Sequence, residues 1–416
     1  MQQISRQSVR WLEGTALAVM LLGAAPIAQA TDVDTSGFVY TESNLANNSV
    51  LAFDRAANGT LSLVDTVATG GAGGGVVSVG SQGALAVSQN QQYLFAVNEG
   101  GDSISVLQRT SSGLVAVGTV SSGGTLPVSI TVSGNLVYVL NDGRSGAPAN
   151  ITGFSFSNST GVLTPIANST RSLSAPSPAA PAIGPVAPQI QFDKTGALLY
   201  VTETGTNLID AYTVNSNGTP SQALIQSSFG TSPFALAFTP KNQLLVAEVR
   251  ESLGTTGEGA LTSYQVSPNG ILTPISGSVG DSQTAPCWIV VTPDGEFAYV
   301  VNTASGVISG YRVGANGQLS LLGDGITAET PNGPLDDAFL SGDLYDVTSG
   351  GSIAGFQVQA DGALTSLNLD AVAPAGSRGL VAIAVPEPAT WALLVIGAGA
   401  MGGALRSRRR SGAAAT

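Results

Sequence analysis

The chain has 416 residues, of which 43% are hydrophobic and only 10% are charged; 15 basic and 27 acidic residues give a formal net charge of −12. This composition excludes intrinsic disorder, because it supplies enough apolar surface for a large core. It also argues against nucleic-acid binding, which needs clustered Lys and Arg on the folded body. The chain has no histidine, so the commonest general base and the commonest zinc ligand are missing.

Residues 1–30 have the pattern of a secretory signal peptide. Arg6 and Arg10 give a positively charged start, an apolar run follows over 15–25, and the small residues over 28–30 are typical of a cleavage site. We therefore expect export and removal of this segment. An uncleaved N-terminal anchor is the alternative.

A turn that contains glycine recurs seven times along the next 355 residues, 31–385, at intervals of 45 to 57 residues. The turns are Asn58-Gly59, Ser112-Gly113, Thr160-Gly161, Asn217-Gly218, Asn269-Gly270, Asn316-Gly317 and Asp361-Gly362. Asn-Gly and Asp-Gly are strong hairpin signals, because both central positions of a type I′ turn need positive φ. The spacing indicates seven copies of one structural unit.

Each unit holds about four strand patterns. A strand such as 93–97 precedes the one that leads into the glycine turn, and before it lies a more uniformly apolar strand such as 235–238 or 288–291. Near-continuous apolarity is typical of a strand buried on both faces. Four strands per unit, repeated seven times, predict an all-β, seven-bladed β-propeller with four antiparallel strands per blade, formed by residues 31–385. An array of β-sandwiches is the structural alternative.

The two ends of this region predict how the ring closes. Phe38-Val39-Tyr40 matches the second strand of a blade, and residues 379–385 match an innermost strand. We expect these N- and C-terminal strands to complete one blade together, which would remove the open edges of the ring.

The most specific stretch reads Ala-Pro-Cys-Trp-Ile-Val-Val-Thr-Pro-Asp-Gly over 285–295, followed by Ala-Tyr-Val-Val-Asn over 298–302 and Ile-Ser-Gly-Tyr-Arg-Val over 308–313. With these motifs, residues 38–385 resemble the lactonase-like seven-bladed propellers, which are related to YVTN-repeat proteins. That family includes 6-phosphogluconolactonase-like and carboxymuconate-lactonizing members. The resemblance implies that a ligand site lies at the mouth of the central channel.

Carboxylates follow the second strand in five of the seven units. They are Glu42, Glu99, Asp142, Glu203 and Glu248, and Thr303 and Ser349 take this position in the other two. A ring of carboxylates at the channel mouth would raise the pKa of its members or bind a divalent cation such as Ca²⁺. The alternative is that each carboxylate accepts hydrogen bonds from neighbouring backbone N–H groups. No other cofactor is expected.

Two arginines, Arg250 and Arg378, are candidate anion contacts near the same mouth. If the protein is an enzyme, we expect a lactonase-type hydrolase in which Glu203 or Glu248 acts as base and one of these arginines stabilises the oxyanion. Their alternative role is to pair with neighbouring carboxylates.

Cys287 and Trp288, which follow Pro286, are candidate mouth residues. Cys287 is the single cysteine, so the fold has no internal disulfide. Without a histidine to activate its thiol, we interpret it as an inert buried residue.

Residues 386–416 form a three-part tail. Pro386, Glu387 and Pro388 come first, an uncharged apolar stretch follows over 389–405, and an arginine cluster lies over 406–410. The order resembles the PEP-CTERM sorting signal of Gram-negative bacteria, which implies recognition and removal by an exosortase. We expect the apolar stretch to hold the chain in the membrane before processing.

Two functional hypotheses follow. The first is an exported monomer at the cell surface or in the extracellular space, which binds a surface or matrix carbohydrate or protein without strong catalysis. The second is a lactone hydrolase or lactonizing enzyme that uses the carboxylates at the channel mouth. The missing histidine favours the first, and the family resemblance favours the second.

Overall fold

Seven antiparallel sheets succeed one another along the chain and surround a central channel as the blades of a β-propeller. The computed structural model describes residues 36–75, 82–143, 147–174, 187–249, 257–330, 333–369 and 371–385. The predicted signal peptide, Arg250 and the three-part tail lie outside these described residues. The observed sheets confirm the all-β, seven-bladed architecture expected from the glycine turns.

The strands of blades 1 to 3 are β1 Gly37–Glu42, β2 Ser49–Arg55, β3 Leu61–Ala68, β4 Leu85–Val87, β5 Tyr93–Asn98, β6 Ser103–Thr110, β7 Gly113–Ser121, β8 Pro127–Ser133, β9 Leu136–Asn141, β10 Asn150–Phe156, β11 Leu163–Pro165 and β12 Arg171–Ser172. Those of blades 4 to 6 are β13 Ile190–Phe192, β14 Leu198–Glu203, β15 Leu208–Thr213, β16 Leu224–Ser227, β17 Pro233–Phe238, β18 Leu244–Glu248, β19 Ala260–Val266, β20 Leu272–Gly280, β21 Pro286–Val291, β22 Phe297–Asn302, β23 Val307–Val313, β24 Leu319–Leu321 and β25 Ala328–Glu329. Blade 7 contains β26 Pro334–Leu340, β27 Asp343–Thr348, β28 Ile353–Val358 and β29 Leu364–Ser366, and the last strand is β30 Arg378–Ala384. A short 3-10 turn, Glu99–Gly101, follows β5.

The innermost strands are β30, β4, β8, β13, β17, β21 and β26, and each contacts the innermost strand of the next blade. From there each sheet extends outward through its second, third and fourth strands, and the short strands β12 and β25 add to the third strands of blades 3 and 6. Burial falls in the same direction: β17 is buried throughout, whereas β3 is largely exposed. The hydrophobic core therefore lies around the channel and between neighbouring blades.

Blade 1 combines the two ends of the described chain. Strand β1 pairs with β2 on one side and with β30 on the other, and Gly37 is opposite Ala384 in the closing ladder. Thr41 Oγ1 donates a hydrogen bond to the Arg378 carbonyl, which is 337 residues away in sequence. This pairing confirms the predicted closure.

Tyrosines of the second strands connect neighbouring blades. The hydroxyl of Tyr200 donates to the Gly270 carbonyl over 3.1 Å, and that of Tyr299 donates to the Gly362 carbonyl over 2.8 Å. Gly362 has φ of 92°, and a Cβ there would lie 2.4 Å from a ring carbon of Phe297. Glycine is needed at this turn for both its backbone conformation and its close approach to the preceding blade.

Candidate functional site in the central channel

All five carboxylates that follow second strands are buried. The exposed fraction is 1% for Glu42, 3% for Glu99, 2% for Asp142 and 0% for both Glu203 and Glu248. Hydrogen bonds from the surrounding protein reach at least four of them, Glu42, Asp142, Glu203 and Glu248. Burial together with such hydrogen bonds fits the structural role that the sequence analysis gave as the alternative to cation binding or catalysis.

Glu203 lies at the end of β14 and accepts hydrogen bonds from two neighbouring segments. Its Oε1 accepts from the Ser174 backbone N–H over 3.0 Å, and its Oε2 accepts from the Thr206 hydroxyl over 2.7 Å. The buried Asp210 interacts with this carboxylate, and burial together with the charge of Glu203 raises the pKa of Asp210 to about 7. Glu203 therefore connects the segment that follows β12 of blade 3 with the turn after its own strand in blade 4.

Glu248 ends β18 in the same position of blade 5. Its carboxylate accepts hydrogen bonds from the Gly230 N–H, the Thr262 hydroxyl and the Ser278 hydroxyl. A Cβ on Gly230 would lie 1.7 Å from Oε2 of Glu248, so only glycine allows this approach. Asp142 has a comparable role, because its Oδ1 accepts from the Ala187 N–H over 2.8 Å.

Blades 1 and 2 contribute a third group of charges, Glu42, Glu99 and Arg378. Burial raises the pKa of Glu42 well above its usual range, and the nearby Glu99 adds to this rise, whereas Arg378 opposes it. Arg378 is 8% exposed, and burial lowers its pKa while both glutamates act in the opposite direction. This arginine therefore interacts with neighbouring carboxylates, the alternative role given by the sequence.

Cys287 and Trp288 lie in the core between blades 5 and 6. They are 9% and 2% exposed, and the indole ring of Trp288 packs edge-on against Phe234 with ring centres 6.0 Å apart. Both side chains belong to the hydrophobic cluster of these blades.

The channel is crossed by a side chain that the sequence analysis did not select. The Gln82 amide donates to the Ile289 carbonyl over 2.8 Å and its oxygen accepts from the Ile289 N–H over 3.2 Å. Gln82 precedes β4 of blade 2, whereas Ile289 belongs to β21 of blade 6, so this pair of bonds spans the centre of the ring. A cavity of about 250 Å³ lies beside Gln82.

Three aspartates of blade 7 were also missed. Asp336 and Asp337 lie on the innermost strand β26 and line the channel cavity, and Asp346 lies on the adjacent β27. Burial raises the pKa of Asp336 to about 7, although its Oδ2 accepts a hydrogen bond from the Leu380 N–H over 3.2 Å. The sequence does contain one indication of these residues, since Asp336 and Asp337 are adjacent charges within an otherwise apolar innermost strand.

A cleft between blades 1 and 2, here the blade 1–2 cleft, has a volume of about 380 Å³. The Arg109 guanidinium carbon lies 5.6 Å from the ring centre of Phe38 and 5.9 Å from that of Tyr40. Arg109 Nε donates to the Tyr40 hydroxyl over 2.9 Å. Asp54 and Asp65 line the same cleft, so aromatic faces and groups of both charges meet there.

Within the described ranges, no group of three or more Cys, Asp or Glu side chains is arranged to hold a metal ion. The same part of the chain contains no helix that is long and apolar enough to span a membrane.

The fold is that of a seven-bladed β-propeller, and part of the sequence is similar to the lactonase family. Residues 33–180 match the family described as "Lactonase, 7-bladed beta-propeller", and residues 384–410 match the PEP-CTERM protein-sorting motif. Both matches confirm the resemblances seen in the sequence.

Solved structures show the same fold. The periplasmic gluconolactonase PpgL of Pseudomonas aeruginosa is 17% identical with a TM-score of 0.65, and the similarity covers 84% of this chain and 100% of that one. A proposed 6-phosphogluconolactonase of Bacteroides fragilis is 17% identical with a TM-score of 0.66, covering 85% and 100%. A protein of Lactobacillus plantarum is 18% identical with a TM-score of 0.66, covering 84% and 100%. No curated protein matches this sequence.

Proposed function

We propose that this protein is an exported binding propeller without strong catalysis, and that it binds a carbohydrate of the cell surface or extracellular matrix in the blade 1–2 cleft. The observation that carries the absence of strong catalysis is the burial and hydrogen bonding of the two candidate bases, Glu203 and Glu248. Glu203 and Glu248 have no exposed surface and accept hydrogen bonds from backbone N–H groups of the preceding connections and from hydroxyls of nearby side chains. A general base must reach the proton that it removes, so the burial of both carboxylates supports the non-catalytic proposal.

The chemistry of the blade 1–2 cleft suits a sugar. Aromatic faces pack against the C–H face of a pyranose ring, and charged side chains bond its hydroxyls, so a few polar groups on an apolar wall fix the orientation of a ligand. Phe38 is the more accessible aromatic side chain of the wall, since Tyr40 is 3% exposed, and the exposed Asp54 supplies an acceptor. Arg109 has five N–H donors, and its bonds to Tyr40 and to the Gln91 carbonyl use two of them.

The sorting motif, which points to export, supports a carbohydrate of the cell surface or matrix as the ligand. The PEP-CTERM motif implies sorting by exosortase-type machinery and points to export with membrane-anchored transit. Signal cleavage and release at the cell surface are part of the proposal. The proposed ligand is therefore a carbohydrate of the surface or matrix to which the propeller would be delivered.

Binding is tested with the full chain, purified in detergent, and the surface polysaccharide of the host bacterium, by calorimetry. Arg109→Ala should weaken binding about tenfold or more, because a hydrogen bond from a charged group to a ligand hydroxyl is worth roughly 1.5–3 kcal/mol. The matched control is Arg312→Ala, since the Arg312 guanidinium lies 4.7 Å from the Phe297 ring centre in a different cleft. Equal losses in both variants, or no binding by the wild type, would overturn the proposed cleft.

A lactone-processing activity is the second candidate. It is favoured by the fold shared with gluconolactonase-type structures and by the position of Arg378 near Glu42 and Glu99. A panel of sugar and aliphatic lactones tests it. Turnover that Glu203→Gln or Glu248→Gln abolishes, with the fold intact, would show that the non-catalytic proposal is wrong.

A further inference from the structure

Blade 7 contains a pair of carboxyl groups that face each other across two strands. Asp337 on β26 and Asp346 on β27 are directly opposite in the antiparallel register. Directly opposite residues project from the same face of a sheet with Cβ atoms about 5 Å apart. The two side chains therefore form one local group, separate from the strand-end carboxylates and from the blade 1–2 cleft.

Both carboxyl groups are buried without hydrogen-bond partners. Asp337 is 5% exposed and Asp346 is 0% exposed, and none of their four oxygens has a hydrogen-bond partner within the described part of the chain. Buried polar atoms are almost always satisfied, so an unsatisfied set indicates a missing water, ion or proton. The other charges that act on Asp346 are Asp337 and Asp336, which are also acidic.

The channel cavity gives Asp337 access to a ligand, and Asp346 lies opposite Asp337 in the strand pair. Asp337 lines the cavity of about 250 Å³, and Gln191, whose Oε1 also has no hydrogen-bond partner among the described residues, lines it from blade 4. A single water needs only about 15 Å³ of such space, so the cavity has room for an ion with part of its hydration shell. The excess negative charge and the neutral amide oxygen are both suited to a hard cation.

We propose that Asp337 and Asp346 bind one divalent cation, Ca²⁺, at the wall of the central channel. Ca²⁺ accepts carboxylate, amide and water oxygens in irregular geometry. Two protein carboxylates supply the charge, and water and channel oxygens complete the coordination. Asp336 is not one of the proposed ligands, because its two oxygens accept hydrogen bonds from the Leu380 and Asp337 N–H groups. This site is independent of carbohydrate binding in the cleft.

The experiment compares thermal unfolding of the full chain, purified in detergent and treated with a chelator, with and without CaCl₂. We expect Ca²⁺ to raise the melting temperature of the wild type by several degrees, because a ligand that binds only the folded state stabilises it. Asp346→Asn should abolish this shift. The matched control is Asp281→Asn, which alters another buried carboxyl group and should keep the shift.

The rival explanation is a proton shared between the two carboxyl groups. In that case Ca²⁺ would not change the melting temperature of the wild type, and this outcome overturns the proposal. Native mass spectrometry of the wild type gives a second measurement that does not depend on the folding of a variant. One calcium bound per chain supports the site, and a chain without calcium after equilibration with CaCl₂ refutes it.

Discussion

Glu248 of blade 5 and Asp346 of blade 7 both lie on the second strand of their blade, and both are 0% exposed. Glu248 is surrounded by donors from Gly230, Thr262 and Ser278. Asp346 has no such donor among the described residues. Burial and residue type are therefore poor guides to function in this fold. What differs between the two residues is their hydrogen-bond partners, which distinguish Glu248 from Asp346, the proposed cation ligand.

The largest effect is expected for Glu248→Ala. The substitution leaves a buried N–H and two hydroxyls without their acceptor, and unsatisfied buried donors cost about 1–3 kcal/mol each. We expect the free energy of unfolding to fall by about 3 kcal/mol or more, as measured by chemical denaturation. Glu258→Ala is the control, since Glu258 is exposed and surface changes usually stay within about 0.5 kcal/mol. Equal effects of the two substitutions would contradict the structural role of Glu248 on which the comparison with Asp346 depends.

The pH dependence of stability is expected to be the next largest effect. The pKa values of Asp336 and Asp210 rise from 3.8 to about 7 on folding. The folded protein therefore binds these protons more tightly than the unfolded chain, and their stabilisation is lost as the pH rises from about 4 through 7. The melting temperature should fall by several degrees over this range.

Asp336→Asn should flatten this dependence, since it removes one of the titrating groups. A melting temperature that rises between pH 4 and 7 would contradict the assignment of buried protonated carboxyls.

The smallest effect is expected for Thr262→Val. Its hydroxyl donates to Glu248 and accepts from the Ser278 N–H, and valine preserves its shape. A loss of about 1–2 kcal/mol is expected, less than that of Glu248→Ala, because the carboxylate keeps its other donors. Thr66→Val on the exposed face of β3 is the control. A loss of unfolding free energy as large as that of Glu248→Ala would mean that the hydrogen bonds to Glu248 stabilise the fold only as a complete set.

The sequence predicted the parts of this molecule that repeat. Seven glycine turns, such as Asn269-Gly270 and Asp361-Gly362, gave the blade number. These features depend on local backbone conformation, which neighbouring residues determine.

The site was less predictable because its contacts join distant segments. The sequence placed Glu203 and Glu248 at strand ends but did not show that Ser174 and Gly230 would supply their donors. Gln82 binds Ile289 across 207 residues, and no local pattern indicates such a pair. Asp337 lies in the middle of an innermost strand, where the strand-end pattern of carboxylates gives no indication of a site.

The closing ladder between β1 and β30 has a consequence for how the protein folds. Until β30 is available, β1 is an edge strand with unpaired N–H and C=O groups, which invite pairing with other chains. Pairing over 337 residues also delays closure, since contacts distant in sequence form slowly. A chain that ends before Arg378 would leave blade 1 without its innermost strand, so the final strand distinguishes a finished ring from an aggregation-prone arc.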